Sequence, residues 1–138
     1  MKTKYYLTLS DAEFLLEKAH QYAIQQQFNV SIAIVDETGN LLAMKRMDGA
    51  SPMTANLCVE KAKCSAISRR PSKLFEDIIK NGQMGFLTLN SFSGMLEGGE
   101  PILYEGQLVG AVGVSGVKSF QDAAIAQWVI QTFLAQVK

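Results

Sequence analysis

Residues 30–50 read VSIAIVDETGNLLAMKRMDGA, and this stretch decides the fold. Two apolar runs flank the turn sequence ETGN, whose glycine and asparagine tolerate a positive φ. The pattern predicts a β-hairpin with strands over Val30–Asp36 and Leu41–Met47. Arg46 and Asp48 are two residues apart, so an extended chain places both side chains on one face. The hairpin is therefore predicted to contribute both to the core and to a site.

The first strand of this hairpin is apolar on both faces, with Val30, Ile32 and Ile34 on one and Ala33 and Val35 on the other. A half-solvated strand alternates apolar and polar residues, so this strand needs cover on both sides of the sheet. Helices of the same chain or a partner subunit could provide that cover. Because the chain length limits the number of helices, we expect a partner subunit and hence a homo-oligomer.

Four helices are predicted from capping residues and from apolar residues at helical spacing. The first precedes the hairpin, over about residues 10–26. Two follow the hairpin, over about residues 53–68 and 73–80, and the last runs from Ser119 onward.

A second hairpin, PILYEGQLVGAVGVSG, predicts strands over Pro101–Tyr104 and Leu108–Ser115. A short extra strand is expected near Ser91–Met95. Because the strands come in antiparallel groups and not in repeated βαβ units, the fold class is α+β. We expect one antiparallel sheet of about five strands with helices packed on it, the first and last helices on the same face.

Length and composition limit the possible functions. The chain is expected to be a single domain over residues 1–138, because 48% apolar and 19% charged residues are typical of a globular protein. Thirteen basic residues balance thirteen acidic ones, which argues against a nucleic-acid partner. No apolar run approaches the roughly 20 residues that span a bilayer, and the first residues lack the apolar core of a secretion signal. We therefore expect a cytoplasmic protein with no membrane partner.

The sequence contains no motif of a familiar enzyme class. It has no G-x-S-x-G, P-loop or H-E-x-x-H motif, and no Cys/His cluster with zinc spacing. Cys58 and Cys64 are six residues apart in a predicted helix and point in different directions, so we expect both to be reduced. Catalytic residues are not predicted.

Gly110, Gly113 and Gly116 recur at every third position in the last predicted strand. The dinucleotide fingerprint requires G-x-G-x-x-G at the start of a helix, so this spacing favours close packing against another backbone. The alternative is a site in which Ser115, Gly116 and the N-terminus of the last helix present N–H groups to an anionic ligand.

The first helix and the first hairpin supply further candidates. Arg46 and Asp48 could form an ion pair that fixes their turn, or could line a pocket. His20 is the only histidine and lies at the boundary of the apolar stripe of the first helix. Two roles are open for its side chain. It could be a packed or solvated residue without a ligand, or it could be an axial ligand to haem iron, for which histidine is a common choice.

Three sequence patterns resemble one known family. They are V-D-x-x-G-x-L-x-A-x-x-R-M-D-G-A in the first hairpin, G-G-x-P-I before the second, and V-G-A-V-G-V-S-G followed by Q-D-x-x-I-A. They cover most of residues 30–126 and are similar to the GlcG/HbpS family. That family includes haem-binding HbpS proteins, GlcG of glycolate-utilisation operons and the C-terminal domain of PduO-type corrinoid adenosyltransferases. The resemblance implies a profilin-like, GlcG-type α+β domain that assembles into homo-oligomers.

The resemblance also implies haem as a cofactor. Some members bind haem, and in the PduO-type domain a histidine near the N-terminus is a haem ligand; His20 lies in a comparable first helix. The first hypothesis is a cytoplasmic, oligomeric haem-binding protein with His20 on the iron and Arg46 or Lys61 on a propionate.

The second hypothesis belongs to a different class. It is an accessory protein or enzyme acting on a small carboxylate or carbonyl metabolite, in a catabolic operon of the glycolate- or diol-utilisation type. The predicted ligand-binding residues are Arg46, Asp48, Ser115 and Gly116, together with N–H groups of the last helix.

Overall fold

A computed structural model describes residues 1–137, which form four α-helices, four β-strands and one short 3-10 helix. In chain order the elements are α1 (Leu9–Gln25), β1 (Ser31–Asp36), β2 (Leu41–Arg46), α2 (Pro52–Ser68), α3 (Lys73–Lys80), the 3-10 helix (Met84–Thr88), β3 (Gly99–Tyr104), β4 (Gln107–Ser115) and α4 (Ser119–Gln136). None of the helices in this range is long and apolar enough to cross a bilayer.

The turn of the first hairpin is held by the side chain of Asp36. Its Oδ1 accepts hydrogen bonds from the backbone N–H groups of Thr38 (2.8 Å) and Asn40 (3.0 Å). Gly39 has a φ of +85°, the left-handed conformation that glycine adopts at little cost. Burial raises the pKa of Asp36, but a hydrogen bond from the Thr38 hydroxyl (2.6 Å) and those from the two N–H groups outweigh it and hold the pKa below its ordinary value.

The sheet has four strands in the order β2-β1-β4-β3, and every neighbouring pair is antiparallel. Two hairpins are thus joined edge to edge through β1 and β4. The α+β class is confirmed, but the expected number of about five strands is wrong.

Residues 91–95 were expected to be the extra strand and instead pack on two helices. The Phe92 ring contacts the Phe75 ring of α3, with centroids 5.2 Å apart. Gly94 has a φ of +70° and lies against the backbone of Glu60 in α2. This contact with helices leaves the segment outside the sheet, a placement that its local sequence does not specify.

Helices of the chain itself cover both faces of the sheet. Ile32 and Ile34 of β1 belong to a core formed with α1 and α4, which confirms that the first and last helices share a face. Ala33 and Val35 belong to a second core, formed with Ala62 and other small residues of α2. The doubly apolar strand is therefore covered without a partner subunit, so this argument for a homo-oligomer is wrong.

Helix α2 lies unusually close to the sheet because glycines face it. A Cβ atom at Gly113 of β4 would overlap the carbonyl oxygen of Cys58, and one at Gly99 of β3 would overlap the carbonyl oxygen of Lys61. The spacing of glycines in the last strand thus serves close backbone packing, as the sequence favoured.

Candidate functional site

A cleft of about 480 Å³ lies between α1 and the end of β2. It brings together three of the predicted site residues, His20, Arg46 and Asp48. Asn29, Lys45 and Met47 complete its lining. The cleft therefore contains one imidazole, two cations, one carboxylate and one thioether.

His20 is partly buried on α1. Its imidazole makes no hydrogen bond or ion pair with any residue in the range 1–137. The helix beneath it is fixed at two points. Thr8 and Asp11 form a capping box at its N-terminus, and Glu17 accepts a hydrogen bond from Lys45 of β2 at 3.1 Å. The unpaired imidazole is thus presented from a rigid helix at the rim of the cleft.

Lys45 is a cleft residue that the sequence did not single out. Its ammonium holds the pKa of the Glu17 carboxyl below its ordinary value, because the ionised form accepts the hydrogen bond. Lys45 pairs with Ile32 across the hairpin, on the face covered by α1, whereas Arg46 pairs with Ser31. Strand alternation in the sequence places Lys45 and Arg46 on opposite faces. Only the packing of α1 on one of these faces shows that Lys45 lies next to the first helix.

Arg46 and Asp48 line the cleft without forming an ion pair. Nε of Arg46 donates to the carbonyl oxygen of Ala50 at 3.0 Å, which closes the turn after β2. Strand β2 ends at Arg46, and Gly49 has a φ of +88°, so strand alternation does not extend to Asp48. Of the two roles open from the sequence, the structure shows the pocket-lining one.

Lys61 lies elsewhere and already has partners. Its side chain is 3% exposed, and its Nζ donates to Asp122 Oδ2 at 3.2 Å and to the carbonyl oxygen of Val114 at 3.0 Å. Burial raises the pKa of the Asp122 carboxyl, while the nearby ammonium and the N–H group of Val117 oppose that rise. The pair connects α2 on one face of the sheet with α4 on the other, and Lys61 does not line the cleft.

Ser115 and Gly116 also lie outside the lining of this cleft. Ser115 is buried at the end of β4, where it pairs with Ser31 of β1. The neighbouring N–H group of Val117 donates to Asp122, and that of Lys118 donates to Gln121. These two N–H groups, which lead from Gly116 into α4, are therefore occupied by side chains of α4 itself.

A multidentate metal centre is absent from the described residues. No group of three or more His, Cys, Asp or Glu side chains in this range is placed to hold a metal ion. Cys58 and Cys64 are unbridged, and burial raises the pKa of both thiols to about 12. Haem iron, in contrast to such a centre, can be held by a single protein side chain.

Comparison with known proteins identifies the family. Residues 7–131 match the family described as "Haem degrading protein HbpS-like". The chain belongs to this family. Protein GlcG of Escherichia coli (strain K12) is 40% identical to this HbpS-like chain over 115 residues, which cover 83% of the chain and 85% of GlcG. The resemblance to the GlcG/HbpS family is thus confirmed.

Two crystal structures resemble this HbpS-like chain along nearly its whole length. Klebsiella pneumoniae protein ORFY is 25% identical with a TM-score of 0.90, covering 99% of this chain and 97% of ORFY. A PduOC–haem complex is 26% identical with a TM-score of 0.82, covering 92% of this chain and 94% of PduOC. The second of these relatives was solved with haem bound.

Proposed function

We propose that this HbpS-like chain is a homo-oligomeric haem-binding protein whose iron ligand is His20. The observation that carries the proposal is the unpaired imidazole of His20, which shares its cleft with Lys45 and Arg46. A histidine nitrogen is a common ligand of haem iron, and basic side chains pair with the two propionates; this cleft contains both kinds of group. The PduOC–haem complex, which has the same fold, supports the choice of ligand.

Met47 gives the cleft a second side chain suited to haem. Its thioether lines the same space as His20, and methionine is a common second axial ligand as well as a good apolar contact. We assign Met47 either to an apolar contact with the porphyrin ring or to the second axial position on the iron. Met47→Leu keeps the apolar contact and removes the sulfur, so the two roles can be separated by the absorption spectrum of the complex.

The propionates are assigned to Arg46 and Lys45. Arg46 uses only Nε within the described chain, for the carbonyl oxygen of Ala50, which leaves its two terminal nitrogens to form a bidentate pair with a carboxylate. The side chain of Lys45 is 39% exposed and forms an ion pair only with Glu17 among the described residues. Lys61 is not assigned to this role, because its ammonium is buried and bound to Asp122.

The porphyrin also needs apolar cover, which supports the homo-oligomer. Ile24 lies one helical turn beyond His20 on the same face of α1 and is 55% exposed. Met53 and Trp128 are further large apolar side chains that the single chain leaves exposed. A second copy over such surfaces buries them, and light scattering of the purified protein should then give at least twice the monomer mass of 15.1 kDa. A monomer at micromolar concentration contradicts this part of the proposal.

The test is a titration of the purified protein with hemin, followed at the Soret band. We expect a saturable shift at one haem per chain, and at least a tenfold weaker affinity with an altered spectrum for His20→Ala. Gln21→Ala is the matched control, because Gln21 is the next residue on the same helix and is exposed.

A further variant tests the propionate assignment. Arg46→Gln should weaken hemin binding several-fold without a change in the shape of the spectrum, because the iron ligand is intact. A broad, unsaturating change that is the same in wild type and His20→Ala contradicts the proposal as a whole.

A small carboxylate on Arg46 is the second candidate, favoured by the unused terminal nitrogens of Arg46. Asn29 and Asp48, in the same cleft, could bind a hydroxyl group of such a compound. Glycolate at millimolar concentration should then raise the melting temperature of the wild type but not of Arg46→Gln. No rise with glycolate, together with saturable hemin binding, leaves haem as the function.

A further inference from the structure

A second cleft, of about 580 Å³, lies at the other end of the first hairpin from His20. The N-terminal segment, the β1–β2 turn, the end of α2 and the β3–β4 turn meet there. Its charged lining residues are Lys2, Lys4, Glu37 and Arg69. The volume is within the range of roughly 300–1,000 Å³ that is typical of small-ligand pockets.

Glu37 brings a carboxylate with an unused oxygen to this cleft. Its Oε1 lies 3.4 Å from the ammonium of Lys4, whereas its Oε2 is buried and has no hydrogen-bond partner in residues 1–137. The backbone at this position is fixed, since the preceding residue, Asp36, accepts hydrogen bonds from the N–H groups of Thr38 and Asn40 that follow. The last side-chain torsion of glutamate is soft, so a rotation that moves Oε1 away from Lys4 can bring Oε2 to the cleft.

Arg69 supplies a cation from a fixed point of the backbone. It is the C-cap residue of α2 and has a φ of +61°, a left-handed conformation in which glycine is the usual residue. Its N–H group donates to the carbonyl oxygen of Ser65, and Ser65 Oγ donates to the carbonyl oxygen of Arg70. The position of the Arg69 side chain is thus set by a capped helix end.

The charges of this cleft define a ligand class. Among the described residues, neither Lys2 nor Arg69 takes part in an ion pair. The cleft therefore contains two cations without an ion-pair partner, and a carboxylate that has one oxygen near Lys4 and a second, buried oxygen that can turn to a ligand. A small molecule with two carboxylates and one ammonium satisfies all three groups by charge-assisted hydrogen bonds.

We propose that this second cleft binds an acidic α-amino acid, with its ammonium on Glu37 and its carboxylates on Arg69 and Lys2. The cleft does not share a lining residue with the His20 cleft. Binding of the amino acid is thus separate from binding of haem, and each can fail without the other.

The ligand-side test is isothermal titration calorimetry with L-glutamate and with glutarate, which has the same carboxylates but no ammonium. We expect saturable binding of L-glutamate at one molecule per chain and at least tenfold weaker binding of glutarate, because glutarate leaves Oε2 of Glu37 without a partner. The proposal is overturned if no heat of binding is detected at 10 mM L-glutamate, a concentration on the order of the dissociation constants of the weakest specific complexes. Equal affinities for the two compounds overturn it too.

The protein-side test uses Arg69→Gly, which removes the guanidinium and places at φ +61° the residue that this conformation favours. This variant should keep or raise the melting temperature and lose at least tenfold in affinity for L-glutamate. Arg70→Gln is the matched control, because Arg70 is exposed, adjacent and outside the cleft lining. Unchanged affinity in Arg69→Gly overturns the proposal.

A second protein-side test uses the carboxylate. Glu37→Gln should bring the affinities for L-glutamate and glutarate to within about threefold of each other, because an amide no longer attracts the ammonium. His20→Ala should bind L-glutamate as the wild type does. A tenfold preference for L-glutamate that survives Glu37→Gln contradicts the assigned role of this residue and overturns the proposal.

Discussion

The buried pair of Lys61 and Asp122 allows the sharpest test of the packing. Both side chains are 3% exposed, and each has a further backbone partner, so Lys61→Met leaves a buried carboxylate without its counter-charge. Removing one partner of such a pair costs about 3–5 kcal/mol. A domain of this size has a free energy of unfolding of about 5–15 kcal/mol, so the loss is a large fraction of the total.

Urea unfolding measures this loss directly. With a slope of about 2 kcal/mol per molar urea, the midpoint of Lys61→Met should fall by about 1.5–2.5 M. Lys63→Met is the matched control, because Lys63 is exposed on the same helix, and it should change stability by less than about 0.5 kcal/mol.

The pH dependence of the loss has a definite sign. Burial already raises the pKa of Asp122, and removal of the Lys61 ammonium raises the pKa further. A group whose pKa is higher in the folded state than in the unfolded state favours folding at low pH and opposes it as pH rises. The destabilisation of Lys61→Met should therefore be smaller at pH 5 than at pH 7.

A second variant keeps the test interpretable if Lys61→Met does not fold. Asp122→Asn retains an acceptor for the Val117 N–H group but leaves the buried Lys61 ammonium without its counter-charge, so it should destabilise the protein as well. The double variant should recover part of the loss, with a coupling energy of at least about 1 kcal/mol. Asp122→Asn should also bind hemin within twofold of wild type. Purely additive effects of the two substitutions would refute the reasoning.

Three further predictions concern other parts of the molecule. Gly113→Ala should lower the free energy of unfolding by at least about 1–3 kcal/mol in urea, because the added methyl group meets the backbone of α2; wild-type stability contradicts that close contact. Cys58 and Cys64 should not react with Ellman's reagent at pH 8 in the native protein and should both react after unfolding, because burial raises their pKa to about 12. The lowered pKa of Asp36 contributes stability that is present above its unfolded value and is lost as pH falls through the folded value, so acid titrations of wild type and Asp36→Ala should converge as the pH falls below the ordinary pKa of an aspartate. Parallel titration curves for these two proteins contradict the last prediction.

Local sequence was enough to predict most of the secondary structure. The first hairpin follows from a turn with Gly39 between two apolar runs, and the second from residues at positive φ, Glu105 and Gly106, between β3 and β4. Helix α3 has the predicted bounds, 73–80, because an amphipathic pattern and the Asn81-Gly82 end are both local signals. The errors occur where partners lie far apart in the chain. Residues 91–95 have apolar residues suited to a strand, but they pack on helices α2 and α3 instead.

For the candidate site too, some features follow from the local sequence and others only from the tertiary structure. The sequence by itself supplied candidates of suitable chemistry, because residue type and strand spacing are properties of the chain; they are His20, Arg46, Asp48, Lys61, Ser115 and Gly116. Only the tertiary structure decided that His20, Arg46 and Asp48 share a cleft. It also decided that Lys61 is bound to Asp122, 61 positions away. The physical reason is that a long side chain finds its counter-charge through space. Helices α2 and α4 on opposite faces of the sheet bring that buried pair together, and no local pattern in the sequence encodes their approach.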